Sequence, residues 1–426
     1  MEAISKKPLQ LNPIKLSQPM GAMLFFLGIK NCMPLMHGAQ GCASFTKVFF
    51  TRHFNEPIAI QTTAVNDLTA VFDGGEYGIS TSVENITKKV TPELIGLYST
   101  GLTETKGDDL RGAASKVDLP IVWVNTPDFD GGFEQGWANS VTAIIEQLVS
   151  ESKCVIKKKA AIIPNVSMSA LEVEKLKDFF GDMGFTKIFA LPDISTSLDG
   201  FLGEKQGSIS AGGITVDDIR ELSSAEIVLS VGGSVKECGE ALVAKNEDIV
   251  HIHLDSLGGL RNTDILVETL MGLGYAPNER IKRWRARLQD AMLDTHFVIG
   301  KKSFFVALEP DNALGVADVL YEAGAKIETI LLPQKSQNDF SSYKNVLQGD
   351  LEDGSKMVSN IDVIVTNEHG KSIAKREHKS LALRGFPIFE NFGHSLKTDI
   401  LYEGSAQLLF EVANCDLKFS YSFSVS

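Results

Sequence analysis

A cysteine preceded by glycines is the first feature of this sequence that could carry chemistry. Cys42 ends the stretch Met33-Pro34-Leu35-Met36-His37-Gly38-Ala39-Gln40-Gly41-Cys42. Glycines let the backbone approach a bulky ligand and turn N–H groups toward a sulfur atom, so the stretch could support a thiolate ligand. A cysteine buried in the core explains the same residue without any ligand. The residue types alone leave both interpretations open.

An acidic cluster follows a predicted strand in the same part of the chain. Glu104, Asp108 and Asp109 come soon after the strand predicted at Leu94–Ser99. Parallel sheets place ligand sites beyond the carboxyl ends of their strands, which favours a functional interpretation. The same cluster is also typical of a helix N-terminus, where negative charge is stabilising.

Histidines offer a second possible site. His251 and His253 alternate along an apolar strand and therefore point to the same face of a sheet. They are either ligands or a pair of hydrogen-bonded strand histidines. His378 and His394 are ambiguous in the same way.

A glycine-rich turn is the third possibility. Gly232-Gly233-Ser234 follows the predicted strand Ile227–Val231 and precedes a predicted helix, so its N–H groups could hold an anion. The dinucleotide pattern G-x-G-x-x-G is absent, and a tight strand-to-helix turn explains the residues without an anion. The patterns of P-loop ATPases, zincins, zinc ribbons and α/β-hydrolases are also absent, which excludes those classes.

Short apolar runs alternate with amphipathic helical stretches from about residue 94 onward. One helical stripe ends near Leu148, one near Met183 and one near Leu320. Runs that are apolar on both faces are typical of a covered parallel sheet, so we predict repeated βαβ units. The predicted strands are Leu94–Ser99, Ile121–Asn125, Ala160–Pro164, Lys187–Leu191, Ile227–Val231, Ile249–Leu254, Ser303–Leu308, Ile327–Leu332 and Ile361–Thr366.

Length and composition breaks predict three domains. The boundaries fall at the Lys-rich segment 153–159 and after the charged helix 278–294, giving domains 1–155, 156–295 and 296–426. The basic residues of that helix indicate either a partner site or a solvated face. Segment 335–354 is predicted to be either a surface loop or a divergent helix pair. The first hundred residues do not match a simple βαβ pattern.

Charge and hydropathy exclude further classes. The 41 basic and 54 acidic residues give a net charge of −13, which disfavours nucleic-acid binding. The longest apolar run, 20–29, is about half the length of a spanning helix. If this run were the apolar region of a secretory leader, the stretch before it would contain three prolines, which does not match the usual layout of such leaders. We therefore expect a cytoplasmic protein. Five widely spaced cysteines imply no disulfide framework and fit a reducing compartment.

Several blocks together resemble the nitrogenase component 1 family, in its β-type half, over about residues 10 to 415. The resemblance implies three Rossmann-like α/β domains with parallel sheets, as in the component 1 β-subunit. The blocks are Ser17-Gln18-Pro19-Met20-Gly21-Ala22, the stretch ending at Cys42, Arg52-His53-Phe54-Asn55-Glu56-Pro57, Ser99-Thr100-Gly101-Leu102-Thr103-Glu104-Thr105-Lys106-Gly107-Asp108-Asp109, Pro127-Asp128-Phe129-Asp130-Gly131-Gly132-Phe133-Glu134-Gln135-Gly136-Trp137 and Gly385-Phe386-Pro387-Ile388-Phe389-Glu390-Asn391-Phe392-Gly393-His394.

Departures from the family pattern indicate the branch of the family. A catalytic β-subunit supplies three cysteines to an eight-iron cluster, and here those positions are Ser17, Cys42 and Gly101. A 4Fe–4S cluster normally takes four thiolates. The resemblance therefore implies that Cys42 gives one thiolate to a 4Fe–4S cluster shared with a NifE-like α subunit, which contributes three, in an α2β2 complex. The segments Thr103–Asp109 and His37–Gly41 are expected to shape that interface.

The resemblance is to the branch that helps to assemble the nitrogenase iron–molybdenum cofactor. The resemblance implies a scaffold without a reaction of its own, which holds the cofactor precursor mainly in the α-like partner. It also implies transient contacts with NifB, NifH and apo-nitrogenase. Two alternatives stay open. One is a catalytic subunit, either nitrogenase β or a relative of dark-operative protochlorophyllide reductase. The other is a metal-free Rossmann-like binding protein in which Cys42 is a core residue.

Overall fold

The structure, a computed structural model, describes residues 2–3, 14–50, 58–66, 75–197 and 209–421. The block Arg52–Pro57, quoted above for its resemblance, lies outside these residues. Within the described ranges, no helix combines the length and the apolar character that crossing a membrane requires.

The strands of the described residues form three sheets, and every pairing between them is parallel. The first sheet has the order β3-β2-β4-β5, the second β7-β6-β8-β9 and the third β1-β12-β11-β10-β13-β14. The strands are β1 (Glu2–Ala3), β2 (Cys32–His37), β3 (Gln61–Thr62), β4 (Leu94–Ser99), β5 (Ile121–Val124), β6 (Ile156–Ile163), β7 (Lys187–Ala190), β8 (Ala225–Val231), β9 (Val250–Leu254), β10 (Ser303–Ala307), β11 (Lys326–Leu332), β12 (Val346–Gln348), β13 (Val363–Thr366) and β14 (Ser380–Leu383).

Helices connect the strands, as parallel pairing requires. The described helices are α1 (Gln18–Leu27), α2 (Gln40–Phe50), α3 (Glu76–Thr87), α4 (Gly101–Lys106), α5 (Leu110–Ala114), α6 (Phe133–Leu148), α7 (Ala170–Asp182), α8 (Ile194–Ser197), α9 (Val216–Arg220), α10 (Lys236–Val243), α11 (Gly259–Gly272), α12 (Glu279–Ile299), α13 (Pro310–Glu322), α14 (Leu351–Ser355), α15 (Gly370–Arg376) and α16 (Leu401–Tyr421). The prediction of an α/β fold built from parallel sheets is confirmed.

Helix α1 contains most of the apolar run 20–29 and is buried along its whole length. It packs against α6 at two glycines, because a Cβ at Gly21 would lie 2.1 Å from the carbonyl oxygen of Phe133 and one at Gly136 would lie 1.9 Å from that of Gln18. A helix that is apolar on all sides belongs in a core, and small residues let two such helices approach closely. We call each sheet with its connecting helices a unit and number the units as the sheets are numbered. This run is therefore a core element of the first unit.

All nine predicted strands are present, with ends shifted by no more than four residues. The first hundred residues were predicted not to follow a simple βαβ pattern. This was wrong for the strands of the first sheet, because β2 and β4 pair in parallel. Pro34 and the buried polar His37 obscured β2 in the sequence. The Lys-rich segment was also misplaced, because β6 begins at Ile156 and includes three of its lysines.

Segment 335–354 is neither of the two predicted alternatives. It contains the short strand β12 and the start of α14, joined by irregular backbone. The strands of each sheet lie within one of the three predicted domains, except that β1 joins the third sheet. The domain boundaries themselves stay a prediction.

Candidate functional site

The carboxyl edge of the first sheet brings two of the family positions close to one another. Strands β2 and β4 are paired neighbours, with His37 opposite Ser99 in the register. Each strand runs through a short turn into a helix, so that Cys42 lies in the first turn of α2 and Gly101 is the first residue of α4. Parallel topology therefore places the Cys42 turn and the Gly101 turn at the same edge.

Threonine hydroxyls tie these two turns together from the inside. Thr100 Oγ1 and Thr103 Oγ1 both donate to the carbonyl oxygen of His37, at 3.2 and 3.0 Å. A Cβ at Gly38 would lie 2.6 Å from Thr100 Cγ2, so glycine is needed where the turns touch. Both threonines are buried. The position of the Cys42 turn is thus fixed by the neighbouring strand end.

His37 also supports this edge from beneath. Its Nε2 lies 2.9 Å from Asp108 Oδ2, and its Nδ1 lies 2.9 Å from Thr63 Oγ1. The side chains of His37 and Asp108 are only 1% and 3% exposed. Lys106 Nζ forms an ion pair with the other Asp108 oxygen at 3.2 Å. His37, Thr103 and Asp108 therefore act from inside the fold and present little surface of their own.

A third turn completes the edge at the start of α1. The amide of Gly101 donates to Asp128 Oδ2 at 3.0 Å, and the Gln18 side-chain amide donates to the carbonyl oxygen of Asp130. Ser17 immediately precedes Gln18 and occupies the N-cap position of α1, without a capping hydrogen bond from its side chain. The loop after β5 thus joins the Ser17 position to the Gly101 position. Sequence reasoning assigned no role to Asp128, although it lies in a quoted block just beyond a predicted strand.

The thiols of the chain differ in accessibility. Cys42 and Cys154 are exposed, whereas Cys32 and Cys238 are buried. Burial raises the pKa of the Cys32 thiol far above its usual range and that of Cys238 to about 12, so neither is suited to bind metal as a thiolate. The interpretation of Cys42 as a buried core cysteine is wrong.

The described residues give Cys42 no companion set of metal ligands. Among the described residues, no group of three or more histidine, cysteine or acidic side chains is placed to hold a metal ion. Gly101 offers no side chain, and a Cβ there would meet Asp128 at 3.1 Å. The described part of the chain therefore presents a single accessible thiol at this edge.

Large apolar side chains are exposed on the elements that carry this edge. Phe45 and Phe129 are each 71% exposed, and Val48, Leu102 and Tyr77 are also exposed. They lie on α2, on the loop after β5, on α4 and on α3. Several exposed apolar groups on adjoining elements are typical of a surface that another protein covers. We call Phe45, Val48, Tyr77, Leu102 and Phe129 the apolar edge.

The acidic cluster near this edge divides into separate structural roles. Asp109 caps α5 by accepting from the amide of Gly112 at 2.9 Å. Asp108 pairs with His37, as described above. Glu104 accepts a hydrogen bond from Ser99 Oγ and another from Asn125 Nδ2 at 3.3 Å. The interpretation as a helix N-terminal cluster is correct for Asp109 and for Glu104, which lies in the first turn of α4. Glu104 and Asp108 also brace strand ends.

The paired histidines form a hydrogen-bonded cluster. Ser230 Oγ lies 2.8 Å from His251 Nε2 and 2.9 Å from His253 Nδ1, and His253 Nε2 lies 2.9 Å from Asp255 Oδ1. Burial and the neighbouring His253 lower the pKa of His251. The prediction of hydrogen-bonded strand histidines is confirmed. His394 lines a cleft between the second and third sheets, and His378 has the left-handed backbone of a turn.

The glycine-rich turn after β8 is filled by side chains of the third unit. The amide of Gly233 donates to Asn338 Oδ1 at 2.6 Å, and Ser234 Oγ donates to Asp311 Oδ2 at 2.5 Å. These acceptors take the place that a phosphate would need at the helix N-terminus. The structure therefore supports the tight-turn interpretation. Sequence reasoning missed Asp311, whose partners lie far away along the chain.

Comparison with known proteins gives a consistent family. The family model of nitrogenase component 1 type oxidoreductases matches residues 17–415. Proteins of Mesorhizobium japonicum and Rippkaea orientalis are each 36% identical to this chain; the matches cover 96% of this chain and 91% and 94% of those proteins. Both are named nitrogenase iron-molybdenum cofactor biosynthesis protein NifN. A solved structure of nitrogenase Cp1 at pH 6.5 matches with a TM-score of 0.92 and 27% identity, covering 100% of this chain and 97% of that one.

Proposed function

The chain belongs to the nitrogenase component 1 type oxidoreductase family, and on that premise we propose that it is a β-like scaffold subunit for assembly of the nitrogenase iron–molybdenum cofactor. Relatives that align over nearly the whole chain carry the name of a cofactor biosynthesis protein. In this proposal the chain catalyses no reaction of its own and works in the cytoplasm, where a reducing environment keeps its thiols free.

The partner in this proposal is a NifE-like α subunit in an α2β2 heterotetramer. Cys42 gives one thiolate to a 4Fe–4S cluster at the interface, and the partner gives the other three. The observation that carries the proposal is the exposed thiol of Cys42, which lies at a sheet edge bordered by exposed aromatic and aliphatic side chains. An incomplete ligand set on an apolar surface is a feature that a partner subunit would complete.

The residues at this edge suit one ligand of such a cluster. Cys42 lies in the first turn of α2, which contains no acidic residue, so this helix places no negative side chain beside a cluster ligand. The same edge lacks the thiols that a complete set within the chain would need. When bound, the cluster would supply an iron–sulfur centre able to carry an electron across the interface.

The surrounding residues would position the thiolate and exclude water. The hydroxyls of Thr100 and Thr103 fix the turn that leads to Cys42 by donating to the carbonyl oxygen of His37. Phe45 and Phe129 would become buried against the partner, which lowers the local dielectric and protects the cluster from solvent. The cofactor precursor would be held mainly by the partner, with NifB, NifH and apo-nitrogenase as transient donors and acceptors.

Anaerobic co-expression with the NifE-like partner tests this function. We expect a coloured complex with about four iron atoms per heterodimer from the interface cluster, in addition to any bound precursor. A complex that forms but stays colourless and free of iron would contradict the proposal. Acetylene reduction at the rate of nitrogenase would instead support a catalytic component 1 subunit.

A further inference from the structure

Three carboxyl side chains meet where the three sheets adjoin. Glu134 lies in the first turn of α6, and Glu309 and Asp311 lie at the start of α13. Their exposed fractions are 4%, 8% and 3%. We call these three side chains, with Ser234 and Asn338, the carboxyl junction. Buried carboxyl groups this close together need either compensating bonds or protons.

Hydrogen bonds at the junction connect all three units. Glu134 Oε1, from the first unit, accepts from the backbone amide of Asp311 in the third at 2.7 Å. Asp311 Oδ2 accepts from Ser234 Oγ of the second unit at 2.5 Å, and its Oδ1 accepts from Asn338 Nδ2 at 2.8 Å. A single residue, Asp311, therefore bonds to both other units, to the first through its backbone amide and to the second through its side chain.

Glu309 connects the segment before α1 to the third unit, but only one of its two carboxyl oxygens accepts a hydrogen bond. Its Oε1 accepts from the amide of Leu16 at 3.4 Å, whereas its Oε2 is buried and has no hydrogen-bond partner in the structure as described. An ionised carboxylate with an orphaned buried oxygen is costly, whereas a protonated one is much less so. The geometry at Glu309 thus favours the neutral form.

The charges that face the junction do not offset one another. Lys15, preceding α1, is the cation that acts on Glu309, and Asp255, following β9, adds a further negative charge near Asp311. Burial, followed by the neighbouring carboxylates, raises the pKa of Glu134 well above its usual range. Burial raises the pKa of Glu309 to about 8 and that of Asp311 to about 6.

We propose that the carboxyl junction is a proton-dependent clamp, which holds the three α/β units together when protonated and loosens as the pH rises. A carboxyl group with a higher pKa in the folded state contributes most stability below its unfolded pKa of about 4. That contribution is lost as the pH rises through the folded pKa, which here places the loss between about pH 4 and 8. The clamp does not involve Cys42 and stands apart from the proposed function.

Hydrogen exchange of the full-length chain, measured by mass spectrometry, tests the clamp. Peptides covering 232–236 and 310–313 report opening of the junction once the intrinsic exchange rate at each pH is removed. We expect the corrected opening constant of the wild-type chain to rise about tenfold or more between pH 6.5 and 8.5, because opening is coupled to proton release. A corrected opening constant that stays unchanged over this range would overturn the proposal.

Variants separate the clamp from general alkaline loosening. Glu134→Gln and Glu309→Gln keep the shape of the neutral carboxyl group, so the double variant should show an opening constant that barely changes with pH. Glu174→Gln, at an exposed position on α7, is the matched control and should keep the wild-type slope. An unchanged slope in the double variant would contradict the proposal.

A second measurement covers the case in which the double variant does not fold. Trp137 lies one turn after Glu134 and donates from Nε1 to the carbonyl oxygen of Pro164 in the second unit, at 2.8 Å. With Trp123 and Trp284 replaced by phenylalanine, its fluorescence reports the junction directly. A shift of its emission to longer wavelength between pH 6.5 and 8.5 supports the clamp. Unchanged emission over that range counts against it.

Discussion

Two regions, the sheet edge at Cys42 and the carboxyl junction, are built from the same kind of structural element. Both consist of short turns at the carboxyl ends of parallel strands, and both gather polar side chains from sequence-distant segments. At the edge, the polar groups are buried and the thiol and apolar side chains face outward. At the junction, the carboxyl side chains face inward and accept hydrogen bonds from backbone amides and polar side chains. A turn at the end of a strand can thus form a docking surface when its apolar side chains and thiol are exposed. It can instead form a contact between units when its polar side chains are buried.

The largest expected difference between the two regions appears when the thiol is removed from the edge. We expect Cys42→Ala to remove most of the interface iron of the complex formed with the NifE-like partner. The free energy of unfolding of the chain should change by less than about 0.5 kcal/mol, since the side chain is exposed. Iron analysis and electron paramagnetic resonance measure the loss. Cys154→Ala, at another exposed cysteine, and Cys415→Ala should retain the iron, and equal losses from all three would refute the ligand assignment.

The corresponding change at the junction should act on stability and leave the cluster in place. Asp311→Ala removes the acceptor for the half-buried hydroxyl of Ser234 and for the buried side-chain amide of Asn338. We expect the free energy of unfolding to fall by about 2–4 kcal/mol, measured by urea denaturation. Asp290→Ala, at an exposed position on α12, is the control and should have little effect. Wild-type stability in Asp311→Ala would show that the junction contributes little.

The apolar edge should govern partner affinity independently of the thiol. Replacing Phe45 and Phe129 with serine removes two highly exposed aromatic side chains. We expect affinity for the NifE-like subunit to fall about tenfold or more, or about 1.4 kcal/mol, because buried aromatic side chains dominate such interfaces. Titration calorimetry or sedimentation measures this change. Phe410→Ser, on α16 and away from the edge, is the control; equal weakening by both would argue against a localised interface.

The smallest expected effect concerns the buried hydrogen bond that joins the two turns at the edge. Thr103→Val removes the hydroxyl that donates to the carbonyl oxygen of His37 and keeps the shape of the side chain. We expect a loss of about 1 kcal/mol in the free energy of unfolding, typical of one buried hydrogen bond. Thr105→Val, at an exposed position in the same helix, provides the comparison. Equal small losses in both variants would mean that the tie between the turns adds no stability.

The fold could be predicted from the sequence where the signal is local. Runs such as Leu94–Ser99 and Ser303–Ala307 are apolar on both faces, and that pattern alone located them. Strand β2 escaped notice because Pro34 and His37 interrupt its apolar character. Strands β3 and β12 are too short to show a pattern, and they exist because neighbouring strands pair with them.

The two regions differed in how far the sequence could reveal them. Cys42 was found because glycines precede it and because the family pattern aligns it with lost companions at Ser17 and Gly101. Nothing comparable marks the carboxyl junction. Glu134 and Asp311 are 177 residues apart, and each alone is an ordinary acid in the first turn of a helix. These acids form a connected network only because they are buried together. Their burial depends on how the three units pack against one another.

Strand β1 has a consequence for how the molecule is made. Glu2 and Ala3 pair with Leu347 and Gln348, so the outermost strand of the third sheet comes from the opposite end of the chain. Ile14 packs in the core of that same unit, beside Phe305 and Leu331. Closing so long a loop is slow and entropically costly, and it must wait until the chain has been synthesised through Gln348. The third unit therefore cannot complete its sheet by local folding, and Glu2 and Ala3 stay unpaired until strand β12 has formed.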